Sequence, residues 1–256
     1  MRFNSIFFIL IVSIFLAASC NKDEKGSVEI VFTHTVDAAP VQFNELIYAN
    51  AAGNQYQINE IKYFISKVIF VDEKEKSVTI LQNNGIHYVD CSLAKTLHWI
   101  CDEIPYGRYT SVSFVFGLDE NDNKSNRFVN PPECNFSWPE HLGGGYHYMQ
   151  INGKFLNEDG SIQNINVHTG IGQLYNDDNE IIKLTHNYFT VTLPVDVNIN
   201  EDALLNILPL NMEIQRWFDT PNLFNFNDFG THIMQNQHAQ ELLKENGRDV
   251  FDVVRR

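Results

Sequence analysis

The chain has 256 residues, 44% hydrophobic and 20% charged, with a formal net charge of −14. That is enough for one substantial core. The acidic balance argues against nucleic acid and against broad adhesion to anionic lipid.

From the N-terminus, Arg2 precedes the apolar run Ile6 to Ala17, and small residues lead to Cys20. The run is too short for a spanning helix and reads as a signal peptide over 1–19. Its end, "LAASC", resembles a lipobox, which would make Cys20 a lipidated mature N-terminus anchored by its acyl chains; an ordinary signal peptide cut nearby is the alternative. "NKDEKGS" follows, so residues 20–27 read as a lipidated charged tether. Its Lys-Asp-Glu run resembles the export signal of Bacteroidetes surface lipoproteins, against the plainer reading of a periplasmic tether. The expected location is the outer membrane, cell-surface exposed or else facing the periplasm.

Period-two alternation then dominates. "VEIVFTH" puts Val28, Ile30, Phe32 and His34 on one face, and "IKYFISKVIFV" sets Ile61, Tyr63 and Ile65 opposite Lys62, Phe64 and Ser66. "YTSVSFVFGL", "NYFTVTLPVDVNI" and "ALLNILPLNMEI" are further strands, with Pro194 marking a bulge or an edge and Pro209 a second interruption. Turn-rich stretches such as "NAAGNQ", "LDENDNKSN" and "NEDGS" separate them. Asp119 to Asp122 lacks the spacing of a calcium loop and reads as a solvated turn. "NQHAQELLKENG" predicts a helix with Asn236 as N-cap and Asn246-Gly247 as its stop. The expected fold is all-β, an antiparallel β-sandwich or flattened barrel with a short C-terminal helix, in one domain over 28–254.

The chemistry concentrates in "SWPEHLGGGYHYMQINGKF", 137–155. Alternation puts His147, Met149 and Ile151 on one face and Tyr146, Tyr148 and Gln150 on the other. His34 likewise extends an apolar face, and "INVHTGIG" carries His168 just before Gly170 and Gly172. A hairpin turning near Asp159 pairs 147 with about 171, leaving His168 a few residues out of register, so the two histidines would share a site only across a bulge. Buried imidazoles need partners: a backbone carbonyl, a carboxylate or a metal. Three histidines near a methionine suit copper or zinc, and a thioether tilts the choice towards copper(I). His141, His186, His232 and His238 read as surface or supporting residues, with His232 and Met234 able to approach the site. Cys91 and Cys101 flank "SLAKTLHWI" and are candidates for a local disulfide; Cys134 is then left over as a free thiol or a ligand. The chain has no Gly-x-Ser-x-Gly, phosphate loop, His-Glu-x-x-His or Cys-x-x-Cys-His.

These stretches, with "VFTHTVDAAPVQFN", "VHTGIGQ" and "IMQNQHAQELLKENGRDVFDV", resemble the MbnP-like family of copper-binding envelope proteins, in its Bacteroidetes-type lipoprotein branch. The resemblance implies an all-β domain, copper held by histidines, and a tryptophan oxidised to kynurenine by an MbnH-like di-haem peroxidase partner. Carried onto this chain, it makes His34, His147 and His168 the ligands and Trp138 the candidate for oxidation, with plain aromatic packing as the other reading of Trp138. Met149 and His232 would be additional or supporting residues. The triple glycine would fold the Trp138 loop against the strand bearing His147. The expected function is non-enzymatic copper handling. The rivals are a metal-free surface β-sandwich that binds glycan or protein through exposed tyrosines and Trp99, and an enzyme whose metal activates oxygen or water.

Overall fold

The alternating runs become strands that pair into two packed sheets and a small ribbon. The protein is seen in a computed structural model that describes residues 24–229 and 232–254; the signal-peptide segment and Cys20 lie outside them. In chain order the strands are β1 (Lys25–Val36), β2 (Ala39–Pro40), β3 (Tyr48–Ala49), β4 (Gln55–Asp72), β5 (Ser77–Thr79), β6 (Ile86–Asp90), β7 (His98–Pro105), β8 (Gly107–Phe116), β9 (Met149–Leu156), β10 (Ile162–Thr169), β11 (Ile171–Tyr175), β12 (Ile181–His186), β13 (Phe189–Ile199), β14 (Leu205–Glu213) and β15 (Phe251–Val253). The helices are α1 (Phe226–Phe229) and α2 (Gln237–Asn246).

The larger sheet runs β10-β9-β4-β8-β13, with β3, β5 and β6 also pairing with β4. The smaller runs β15-β14-β1-β2, with β7 on β1, and β11 and β12 form a ribbon of their own. β1 and β14 run parallel, while the other strand pairs are antiparallel. Between the sheets lies the main core, where Val28, Ile30 and Phe32 of β1 and Leu208, Leu210 and Met212 of β14 meet Ile61, Tyr63 and Ile65 of β4. Each such side chain contributes about 1.5–3 kcal/mol by leaving water.

β1 begins at Lys25, three residues inside the stretch read as tether: Lys25 stands opposite Pro105 and Ser27 opposite Leu205. Gly26 allows this close pairing, since a Cβ there would meet the Leu204 carbonyl oxygen at 2.7 Å. Pro194 does sit at a register shift on β13, which ends the larger sheet's strand order. Pro209 needs no donor towards β15, because that strand pairs only with Leu210 to Met212. Asn236 caps α2 by accepting from Ala239 N, as expected. Gly247 follows the helix at φ −64°, so it is there for space rather than for a left-handed turn; a Cβ would press on Phe189 and Trp217 at 2.5 Å.

The outer face of the larger sheet is also apolar near β4. Phe64, Tyr88, Leu118, Phe136, Trp138, Tyr146 and Tyr148 form a second buried cluster, roofed by the loop between β8 and β9. Alternation along β4 produces both surfaces: Ile61, Tyr63 and Ile65 face the main core, and Phe64 faces the second cluster.

Candidate metal centre

The triple glycine turns the chain sharply. Gly143, Gly144 and Gly145 all have positive φ, at 113°, 67° and 81°. Leading out of the turn, Gly145 O accepts from Trp138 N at 2.9 Å, and Ser137 and Tyr146 form an isolated bridge. The turn therefore lays the Trp138 segment beside the entry to β9, as the glycines suggested. Trp138 is buried, its Nε1–H donating to Leu142 O at 3.2 Å. Its ring rests on Gly170, where a Cβ would come within 2.7 Å of ring carbon Cε3.

His147 sits against this indole, ring centres 4.8 Å apart at 76°. It does not share a face with Met149. Regular pairing in β9 starts only at Met149, and His147 N bonds instead to Phe136 O at 3.0 Å. This swings His147 onto the outer cluster, while Met149 points into the main core. His168 stands opposite Gln150 in the β9–β10 hairpin, on that same outer face, and its ring centre lies 5.2 Å from that of His147. The hairpin has the register that a turn near Asp159 implied, but pairing stops at Met149 opposite Thr169, so 147 and 171 are not paired. The histidines meet because His147 departs from the strand.

Each ring has one nitrogen committed. His147 Nδ1–H donates to Phe136 O at 3.1 Å. Glu60 Oε2 accepts from Asn152 Nδ2 at 2.7 Å, which orients the amide so that Asn152 Oδ1 accepts from His168 Nε2–H, also at 2.7 Å. Lys62 pairs in turn with Glu60. Those bonds leave His147 Nε2 and His168 Nδ1 as lone-pair donors. Burial pushes the His147 imidazolium down to about 4, against the pull of the Phe136 and Ser137 carbonyls. Burial, then His147 and Lys62, push His168 down to about 3. Both rings are thus neutral near pH 7, the state in which imidazole ligates metal.

His34 does not join them. It reaches the main-core side of β4, with Nε2 3.1 Å from Tyr63 Oη and Nδ1 3.4 Å from Cys91 Sγ. The sheet separates it from the other two histidines, because Tyr63 and its neighbour Met149 face inward and His168 faces outward. The expected three-histidine cluster is therefore a pair, and no three His, Cys, Asp or Glu side chains converge as a metal cage among the described residues. Met149, fully buried in the core, is no additional ligand to that pair. His232 is exposed before the turn Ile233–Gln235 and forms no such group either. Cys91 and Cys101 are free thiols, as is Cys134. Cys101 stands opposite Val28 of β1, whereas Cys91 touches His34, six residues further along that strand. Six strand residues span about 20 Å, and a disulfide needs Cα atoms within about 7 Å. Trp99, expected on a recognition surface, is buried and stacks on His87 at 4.9 Å.

Asn152 and Glu60 were not singled out from the sequence; only the β4–β9 register brings them together. The same is true of Gln240 in α2. Its Oε1 accepts from Gly170 N and from Asn187 Nδ2, both at 3.0 Å, and so ties the helix to the backbone beneath Trp138.

The comparisons agree with this architecture. The solved structure of MbnP from Methylosinus trichosporium aligns with a TM-score of 0.54 at 16% identity, over 78% of this chain and 80% of that one. At that identity the likeness is one of fold. No curated protein matches the sequence. The MbnP family model, by contrast, matches residues 25–235, most of the chain. The chain belongs to the MbnP family.

Proposed function

We propose that this protein is a non-enzymatic copper-binding protein of the cell envelope that holds the metal through His147 Nε2 and His168 Nδ1, beside Trp138. The observation that carries the reading is the pair of neutral imidazoles, each with one nitrogen tied to a fixed acceptor and the other left as a donor. Two imidazoles sharing one tetrahedral metal through bonds of about 2.0–2.1 Å have ring centres roughly 5 Å apart, and these stand 5.2 Å apart. Imidazole nitrogen suits copper, which the family resemblance also favours. Bound there, copper would supply a redox-active cation that the chain stores or passes on. The chain's own part is to hold both tautomers fixed and to screen the pair from water with Phe136 and Trp138.

The reading extends to an anchor at lipidated Cys20 on the outer membrane, and to conversion of Trp138 to kynurenine by an MbnH-like di-haem peroxidase. The contact between the Trp138 and His147 rings supports the second point, since a modified ring there would border the metal. The test is metal analysis with intact mass on protein from its own host. The His147→Ala/His168→Ala variant is expected to carry one equivalent of copper less than wild type; undiminished copper in that variant would overturn the site. A peptide map with unmodified Trp138 would remove the peroxidase and keep the pair.

A further inference from the structure

The half-buried contact between Cys91 and His34 has no role in that site, and the larger sheet lies between the two. We infer that Cys91 and His34 form a second, separate metal site, selective for a soft monovalent d10 cation such as copper(I) or silver(I). Sγ of Cys91 lies 3.4 Å from His34 Nδ1 and 3.8 Å from Nε2. A tetrahedral metal about 2.3 Å from sulfur and about 2.0–2.1 Å from imidazole nitrogen holds those donors roughly 3.6 Å apart, so a cation fits with small side-chain shifts. Tyr63 Oη, 3.1 Å from Nε2, is placed to accept a hydrogen bond from Nε2–H and leave Nδ1, the nearer one, to the metal. Both His34 and Cys91 are only half-buried, at the rim of the core, so a cation has a way in.

Charge and donor count choose the class of ion. On binding, the thiol proton leaves to solvent and the cation takes its place: thiol plus M⁺ becomes M–thiolate plus H⁺. The unit stays neutral, and a neutral unit is the one a half-buried site tolerates at low cost. A divalent ion would leave a net positive charge. Asp90, next to Cys91 in sequence, has its oxygens already engaged: they accept from Ser92 N at 2.8 Å, Ser92 Oγ at 2.6 Å and Tyr88 Oη at 3.3 Å. Among the described residues no third His, Cys, Asp or Glu completes a cage of the kind structural zinc requires. Thiolate and imidazole in low coordination are what copper(I) and silver(I) accept.

The experiment is a silver(I) titration of the mature full-length chain, with Cys134→Ser throughout to remove the thiol outside the main core. The His147→Ala/His168→Ala background removes the first site, so the two sites succeed or fail separately. One equivalent should still bind there, with thiolate-to-metal ultraviolet absorption, and adding Cys91→Ser should abolish the band and weaken binding at least 100-fold. His34→Asn, which keeps the thiol, should weaken it at least 10-fold, and it decides the matter if circular dichroism shows that Cys91→Ser does not fold. Absence of binding in the His147→Ala/His168→Ala background, or undiminished binding in folded Cys91→Ser or His34→Asn, would overturn the proposal.

Discussion

Gly170→Ala tests the seat of Trp138 directly. The new Cβ would lie 2.7, 2.8 and 2.9 Å from three atoms of the indole, so the ring must retreat by several tenths of an ångström. It has little room: His147 packs on it at 4.8 Å, and its Nε1–H is held by Leu142 O. Overpacking of this kind costs about 1–3 kcal/mol. Gly170 is not among the glycines with positive φ, so the methyl adds steric cost without backbone strain. Removing a glycine from the unfolded chain returns about 0.4–1 kcal/mol. The expected net loss is about 1–1.5 kcal/mol, or a fall in Tm of roughly 2–6 °C for a domain of this size. Urea denaturation of Gly170→Ala, Trp138→Phe and the double variant measures it. Since the smaller phenyl ring leaves room for the methyl, the double variant should be more stable than additivity predicts by about 1–2 kcal/mol. A Gly170→Ala change below about 0.5 kcal/mol, or strict additivity with Trp138→Phe, would refute the contact.

Other expectations follow from the same geometry. Asn152→Leu removes the acceptor that fixes His168 and should weaken copper binding by about 10–100-fold while the fold survives; calorimetric titration of apo-protein checks it, and unchanged affinity would mean that Glu60 and Asn152 play no part. His87, stacked between Phe32 and Trp99 and bonded to Thr96 O, is pushed down to about 4 by burial. Its folded value lies below the unfolded one near 6.5, so its stability contribution is complete above about pH 6.5 and is lost as pH falls towards 4. In apo-protein the stability of wild type should therefore drop by about 2–3 kcal/mol more than that of His87→Phe across that window; parallel curves would count against it. Asn236→Ala should cost about 1 kcal/mol by uncapping α2, readable in thermal denaturation, and a neutral result would show that the Gln240 contacts alone hold the helix.

Local pattern told much of this in advance. The faces of β1 and β4, the bulge at Pro194, the ends of α2 and the register of the β9–β10 hairpin are consequences of period, turn chemistry and capping, which act over a few residues. Three glycines in a row already implied that the Trp138 segment folds back. His147 escapes the alternation because regular strand pairing begins only at Met149, two residues later.

What the sequence determined by itself was therefore an all-β chain, its capped helix and a loop that brings Trp138 to His147. Tertiary structure decided which histidines share a space. His34 and His168 each extend a strand's pattern, yet they fall on opposite faces of one sheet. Which face a strand offers its neighbours depends on pairing partners distant in the chain. The same long-range pairing brought Glu60 to Asn152 and Cys91 to His34, contacts between segments whose own periodicity carries no record of one another.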